Sequence, residues 1–260
     1  MQIVIQPTAQ DNASLVADSI EQLLASHERP VLGLATGSSP LPVYRELVRR
    51  HIEQGLSFAH AQAFLLDEYV GLPPGHPESY REVIRTELTA LVDIADDHVH
   101  SPDGFSADLA TAGERYDAAI ATAGGIDLQL LGIGSDGHLA FNEPGSSLAS
   151  RTRLKTLAEQ TRKDNARFFE SIEDVPRHAL TQGLGTIMEA RHLVLVADGA
   201  NKAEAVAAMI EGPVSTFCPG SVLQLHPHVT VLIDEEAASR LKLADYYRYS
   251  YDHRPAWQQL

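Results

Sequence analysis

The sequence predicts an α/β protein built on a mostly parallel, doubly wound, Rossmann-like sheet with helices on both faces. Two observations predict it. Short apolar runs alternate with amphipathic stretches along all 260 residues, which is the pattern of repeated strand–helix units. Three unusual polar clusters follow the apolar runs ending near Ala35, Leu66 and Ile133, and ligands bind beyond the carboxyl ends of the strands in such sheets. No internal repeat or Pro/Gly/Ser linker divides the chain, so residues 1–260 are expected to form a single domain.

Taken in order, Met1–Ile5 reads as a strand. Residues 12–25 carry Leu15, Val16, Ile20, Leu23 and Leu24 at helical spacing. Val31–Ala35 is a second strand and 41–52 a second helix. Ala61–Leu66 is a strand, and residues 79–92 and 106–122 read as helices. Ile126–Ile133 is a strongly apolar strand. Residues 144–180 are the least strand-like part, with a helix expected over 158–171. His192–Ala197 is a strand, Lys202–Glu211 a helix, and Val229–Ile233 the last strand, with a short helix expected after Asp234.

Composition narrows the class. The formal net charge of −15 disfavours non-specific binding to nucleic acid or anionic membrane. No run of apolar residues is long enough to span a bilayer, and Met1–Ile5 does not read as a signal peptide. One cysteine, Cys218, rules out an internal disulfide and suits a reducing compartment. A soluble, cytoplasmic protein is expected. Cys218 itself reads as a small buried apolar residue.

Four clusters carry chemistry. Thr36-Gly37-Ser38-Ser39-Pro40 follows a strand and precedes a helix. It offers backbone N–H groups and hydroxyls for a phosphate, although an ordinary turn with a serine cap would look the same. Asp67-Glu68-Tyr69 ends a strand; where the strand persists the two acids point to opposite sides, so one can face a pocket and act as a general base while the other makes a structural contact, although a solvated turn is the simpler account of a lone acid pair. Gly134-Ser135-Asp136-Gly137-His138, with Glu143 close behind, places a histidine among carboxylates, which tune it for proton transfer. The spacing matches no standard zinc motif, so no metal is expected. Finally, Arg151, Arg153, Lys155, Arg162, Lys163 and Arg167 crowd one region of an acidic chain. A solvated helix face explains such a run equally well; as an anion site it would be joined by Lys202.

Several long motifs then coincide in order. The runs 36–40, 66–72, 76–80, 134–144, 146–153 and 223–227 together resemble the glucosamine-6-phosphate deaminase family over nearly the whole chain, weakening only in the last fifteen or so residues. The resemblance implies the conversion of glucosamine 6-phosphate and water to fructose 6-phosphate and ammonia without a cofactor. It implies that Asp67 moves a proton between C2 and C1, that His138 shuttles a proton in ring opening, and that Asp136 and Glu143 assist it. It assigns Gly37, Ser38, Ser39, Arg167 and Lys202 to the substrate phosphate. Polar residues 153–181 are expected to form a lid. Some family members are hexamers activated by N-acetylglucosamine 6-phosphate. Ser146, Arg153 and Lys155 match that effector site, whereas the tail with Tyr246, Tyr247, Tyr249 and Tyr251 departs from the pattern. A homo-oligomer is expected. The competing readings are a 6-phosphogluconolactonase, a sugar-phosphate sensor and an aldose–ketose isomerase. Asp67-Glu68-Tyr69 and Phe141-Asn142-Glu143-Pro144 favour the deaminase.

Overall fold

In a computed structural model, which describes residues 1–255 and Gln258, the alternation resolves into ten strands and eight α-helices. The chain runs through β1 (Gln2–Gln6), α1 (Ala9–Ser26), β2 (Val31–Leu34), α2 (Leu41–Gln54), β3 (Gln62–Leu65), β4 (Asp67–Tyr69), α3 (Tyr80–Ile84), β5 (Val99–His100), α4 (Ala112–Thr122) and β6 (Leu128–Leu131). It continues through β7 (Arg153–Thr156), α5 (Glu159–Asn165), β8 (His178–Thr181), α6 (Leu184–Ile187), β9 (His192–Ala197), α7 (Ala203–Glu211), β10 (Val229–Asp234) and α8 (Ala244–Asp252). Seven strands form one sheet in the order β1-β10-β9-β6-β2-β3-β5, and every pairing in it is parallel. The other three form a small antiparallel sheet, β4-β8-β7.

Strand alternation builds a core on each face of the large sheet. On one face lie Leu193, Leu195, Ala197, Val229, Val231 and Ile233, packed against Tyr116 and Ile120 of α4 and Val206, Met209 and Ile210 of α7. On the other lie Leu32, Leu34, Val194, Val196 and Leu232, packed against Val16 and Ile20 of α1 and Val43, Tyr44 and Leu47 of α2. Burying a side chain such as Leu47, wholly enclosed, contributes about 2 kcal/mol. Helix ends are set locally. The Thr8 hydroxyl accepts from Asp11 N–H at 3.2 Å at the start of α1, and α2 stops at Gly55, whose φ of 75° lets its N–H turn back to Arg50 and His51.

Local chemistry also explains where the elements differ from the sequence expectation. The helix expected over 79–92 is α-helical only over α3, then widens into a π turn at Arg85–Thr89. The one expected over 106–122 begins at Ala112, because the Asp108 carboxylate draws Ala110 and Thr111 N–H groups into a separate turn. The one over 158–171 is α5 followed by a 3-10 turn at Ala166–Phe168. The stretch 144–180 holds β7 and the start of β8. Asp234 accepts from Ala237 N–H at 2.8 Å and opens a series of turns, so the last helix is delayed to Ala244.

Because the large sheet is parallel, the ends of β2, β3, β6 and β9 lie along one edge. The chain winds outward through β2, β3 and β5, then returns at β6 and winds the other way through β9 and β10. The direction reverses between β2 and β6, so a crevice opens there.

Candidate active site

Gly37 and the histidine loop flank that crevice. Gly37 has φ 104°, a conformation that suits glycine. Neither Ser38 nor Ser39 caps α2, which starts without a side-chain hydrogen bond. The serine-cap reading therefore fails, and the Ser38 and Ser39 hydroxyls stay available to a ligand, whereas Leu41 N–H is taken by the Ser38 carbonyl at 3.2 Å.

The loop after β6 is folded around His138. Gly134 N–H donates to the His138 carbonyl at 2.9 Å, and Gly137 N–H to the Gly134 carbonyl at 3.0 Å. The imidazole lies so close over Gly134 that a Cβ there would come within 2.6 Å of Nε2. Nδ1 sits 2.6 Å from Asp136 Oδ1. The His138 hydrogen bond is the main force holding the Asp136 carboxyl below its ordinary range. An ionised carboxylate only accepts, so Nδ1 carries the proton and donates it, which leaves the Nε2 lone pair free. Farther along, Ala140 takes φ 51°, the one positive value outside glycine among the described residues. Such a residue stores about 1 kcal/mol or more of strain. Buried Asn142 holds it, donating from Nδ2 to the carbonyls of Leu139 (3.0 Å) and Gln182 (2.7 Å).

The two acids of β4 separate as strand alternation requires. Glu68 accepts from the N–H groups of Tyr69 (2.8 Å), Tyr80 (2.9 Å) and Arg81 (3.0 Å), tying β4 to the start of α3. Asp67 is only 5% exposed, and its carboxylate makes no hydrogen bond among the described residues. Burial, then the charge of Glu68, pushes its pKa well up. An ionisable group left unsatisfied in this way is a candidate functional group. A cavity of about 560 Å³ opens on the other side of β4, lined by Glu68, Arg81, His100 and Tyr116. None of the candidate residues reaches it.

Asp67, just after β3, and His138, just after β6, thus lie at the same edge of the large sheet, on either side of β2. Residues 6–232 match the glucosamine-6-phosphate isomerases/6-phosphogluconolactonase family. The chain belongs to this family. It is 65% identical to a glucosamine-6-phosphate deaminase of Arthrobacter sp. (strain FB24) over the full length of both chains. It is 64% identical to one of Rhodococcus opacus (strain B4) over 99% of each. Among solved structures, a monomeric glucosamine-6-phosphate deaminase superposes with TM-score 0.90 at 41% identity, covering 92% of this chain and 100% of that one. A 6-phosphogluconolactonase from Trypanosoma cruzi gives TM-score 0.74 at 22% identity over 93% and 97%, which shows the shared fold alone.

Within this family member the remaining site residues sort themselves by partner. Of the six basic residues, Arg151 is engaged by Asp117 and Glu189, Lys163 by Glu159, and Arg162 by the carbonyls of Ile172 and Val175. Among the described residues, Arg153, Lys155 and Arg167 pair with no carboxylate. Lys202 is half-buried. Burial lowers its pKa first, Asp198 and Asp136 oppose that, and Arg167 adds to it. Lys202 therefore feels the charges of both Asp136 and Arg167. Ser146 is buried with an unpartnered hydroxyl. Arg153 donates to Asn142 Oδ1 at 2.9 Å. Its cross-strand partner Thr181 is also the partner of Asp67, so Arg153, Thr181 and Asp67 project from one face of the small sheet.

Residues 157–177, between β7 and β8, lie down on Tyr69. Phe169 packs edge-on to the Tyr69 ring at 5.8 Å, and Asn165 Nδ2 donates to the Tyr69 hydroxyl at 2.9 Å. Glu143 is not bonded to His138. Its Oε1 and Oε2 accept from Ala158 N–H at 2.9 and 3.1 Å, and Oε1 also accepts from the Thr161 hydroxyl at 2.6 Å. Thr161, Asn165 and Thr181 were not among the residues singled out from the sequence. No short-range signal marks them, because each acts through a partner 18 or more positions away. No helix among the described residues is long and apolar enough to cross a membrane.

Proposed function

We propose that the chain converts glucosamine 6-phosphate and water to fructose 6-phosphate and ammonia. One observation carries the reading: a buried, unbonded carboxylate, Asp67, stands at the same sheet edge as an imidazole whose tautomer Asp136 fixes. With Nδ1–H committed to Asp136, His138 Nε2 takes the proton of the C1 hydroxyl and returns it to the ring oxygen, opening the sugar. The C1 aldehyde then acidifies the C2 proton. Asp67 removes that proton and delivers it to C1 through an enolamine. Water adds to the resulting C2 imine, and ammonia leaves. No electron is gained or lost. The ammonium group of the substrate brings a positive charge to the Asp67 carboxylate, so its arrival favours the ionised, basic form of Asp67. The uncapped turn at Gly37, Ser38 and Ser39 suits the substrate phosphate, with Lys202 and Arg167 as counter-charges.

The reading extends to regulation by N-acetylglucosamine 6-phosphate at Ser146, Arg153 and Lys155. The unpartnered Ser146 hydroxyl, the Arg153 guanidinium without a carboxylate partner among the described residues, and the shared register of Arg153 with Asp67 support it. An effector site shared between copies would make the active form a homo-oligomer, which sedimentation with and without the effector tests.

The test of the reaction is the release of ammonia and fructose 6-phosphate from glucosamine 6-phosphate, expected in equal amounts. Hydrolysis of 6-phosphogluconolactone without ammonia release would replace the reading, and binding of the sugar phosphate without turnover would make the chain a sensor.

A further inference from the structure

The bonds of Glu143 connect the histidine loop to the lid. Glu143 belongs to the loop after β6, whereas Ala158 and Thr161 belong to the covering segment. All three hydrogen bonds to the carboxylate come from that segment, so they exist only while it lies down. The Thr161 hydroxyl contributes the shortest, at 2.6 Å, in the range of a charge-assisted bond. The segment has other anchorage: Asn165 on Tyr69, Phe169 on Tyr69 and stacked on His76, and buried Leu157 in the aromatic cluster around Tyr69 and Phe141. The lid is seated by these other contacts, while Thr161 gives the one side-chain hydrogen bond to the Glu143 carboxylate among the described residues, beside the Ala158 N–H.

We propose that Thr161 is a positioning residue: its hydroxyl fixes the Glu143 carboxylate when the lid is down, so that the acid–base set is complete only over a covered site. This rests on the deaminase reading and deepens it. Water is excluded in the same movement that orients the carboxylate, which protects the enolamine and imine from bulk solvent. Catalysis and cover are then one event rather than two.

The experiment begins with wild-type turnover of glucosamine 6-phosphate. If the wild type releases no ammonia, the deaminase reading and this proposal fall together. With turnover established, Thr161→Val removes the hydroxyl at nearly constant shape. Its kcat is expected to fall about tenfold, as for one lost bond to a charged group, with KM changed less than about twofold. Thr161→Ser should restore kcat. In a Glu143→Ala background, Thr161→Val should cost less than about twofold, because the two residues act as a unit. Amide exchange over residues 166–169 should stay near wild type in Thr161→Val, showing the lid still seated. An unchanged kcat, a loss confined to KM, a full tenfold loss that persists without Glu143, or a lid unseated by the substitution would each overturn the proposal while leaving the deaminase reading in place.

Discussion

Gly134→Ala is a change of one methyl group aimed at the histidine. The added Cβ would sit 2.6 Å from His138 Nε2 and closer still to Cε1 and Nδ1, so the imidazole must retreat by about 1 Å to reach ordinary contact. That retreat cannot be made while keeping the 2.6 Å bond between Nδ1 and Asp136. A 1 Å misplacement of a reacting group costs roughly a hundredfold in rate, or about 3 kcal/mol in barrier. Gly132, two residues earlier, has nothing within 4 Å of the equivalent Cβ, so Gly132→Ala is the matched control. The assay is initial-rate ammonia release for both variants beside a thermal melt. Gly134→Ala should lose about two orders of magnitude in kcat with its melting temperature close to wild type, because the ring can swing into the open crevice. Gly132→Ala should retain activity. Equal activity in the two variants would refute the claim that the imidazole position is set by its contact with Gly134.

Other expectations follow from the titrating groups and from the unpartnered Ser146 hydroxyl. Asp67 has a folded-state pKa above its unfolded value, so the folded chain loses stability as pH rises from the unfolded pKa through the folded one. Asp67→Asn removes that cost. At pH 7.5 it should raise the melting temperature, by about 3 °C for each kcal/mol relieved, while abolishing turnover. A variant that is both inactive and less stable would contradict the burial argument. His192 is pushed down to about 3, chiefly by burial and then by the neighbouring His228 and His226; the His228 ring stacks on it at 3.7 Å. A depressed histidine costs stability as pH falls below its unfolded value near 6.5, by up to about 3 kcal/mol at pH 4. His192→Phe, measured by denaturant melts at pH 7.5 and pH 4, should flatten that acid loss. An unchanged acid loss would assign it to other groups. Ser146→Ala removes a buried hydroxyl without a partner and should leave stability unchanged or raise it by about 1 kcal/mol. It should also weaken any response to N-acetylglucosamine 6-phosphate, read as the rate with substrate below saturation.

The sequence is most informative where the physics is local. The runs at 31–35, 126–133, 192–197 and 229–233 read as strands because burial on both faces leaves them little polar content, and these strands carry the crevice. The histidine loop is legible for a similar reason: three glycines and a histidine among acids leave few uses for so unusual a stretch. The small sheet is hidden because β7 reads Arg-Leu-Lys-Thr with every residue at least partly exposed, and its pairing with β8 spans about two dozen residues. The basic run shows the same limit. Composition flags six cations together, but only the fold shows that Arg151, Arg162 and Lys163 are held by carboxylates or carbonyls and Arg153 by Asn142, while Lys155 and Arg167 make no hydrogen bond or ion pair among the described residues. The covering segment is expected from its polarity, yet its fastening to Glu143 and Tyr69 depends on pairs 18 and 96 positions apart.

The central claim is that Asp67 carries one proton from C2 to C1 before ammonia leaves. The most direct measurement starts from glucosamine 6-phosphate deuterated at C2 and locates the label in the fructose 6-phosphate by NMR or mass spectrometry, for wild type and Asp67→Asn. The account predicts deuterium at C1 in the wild-type product, together with one ammonia per sugar, and no turnover in the variant. Ammonia released with no label at C1, or at an undiminished rate from Asp67→Asn, would contradict it.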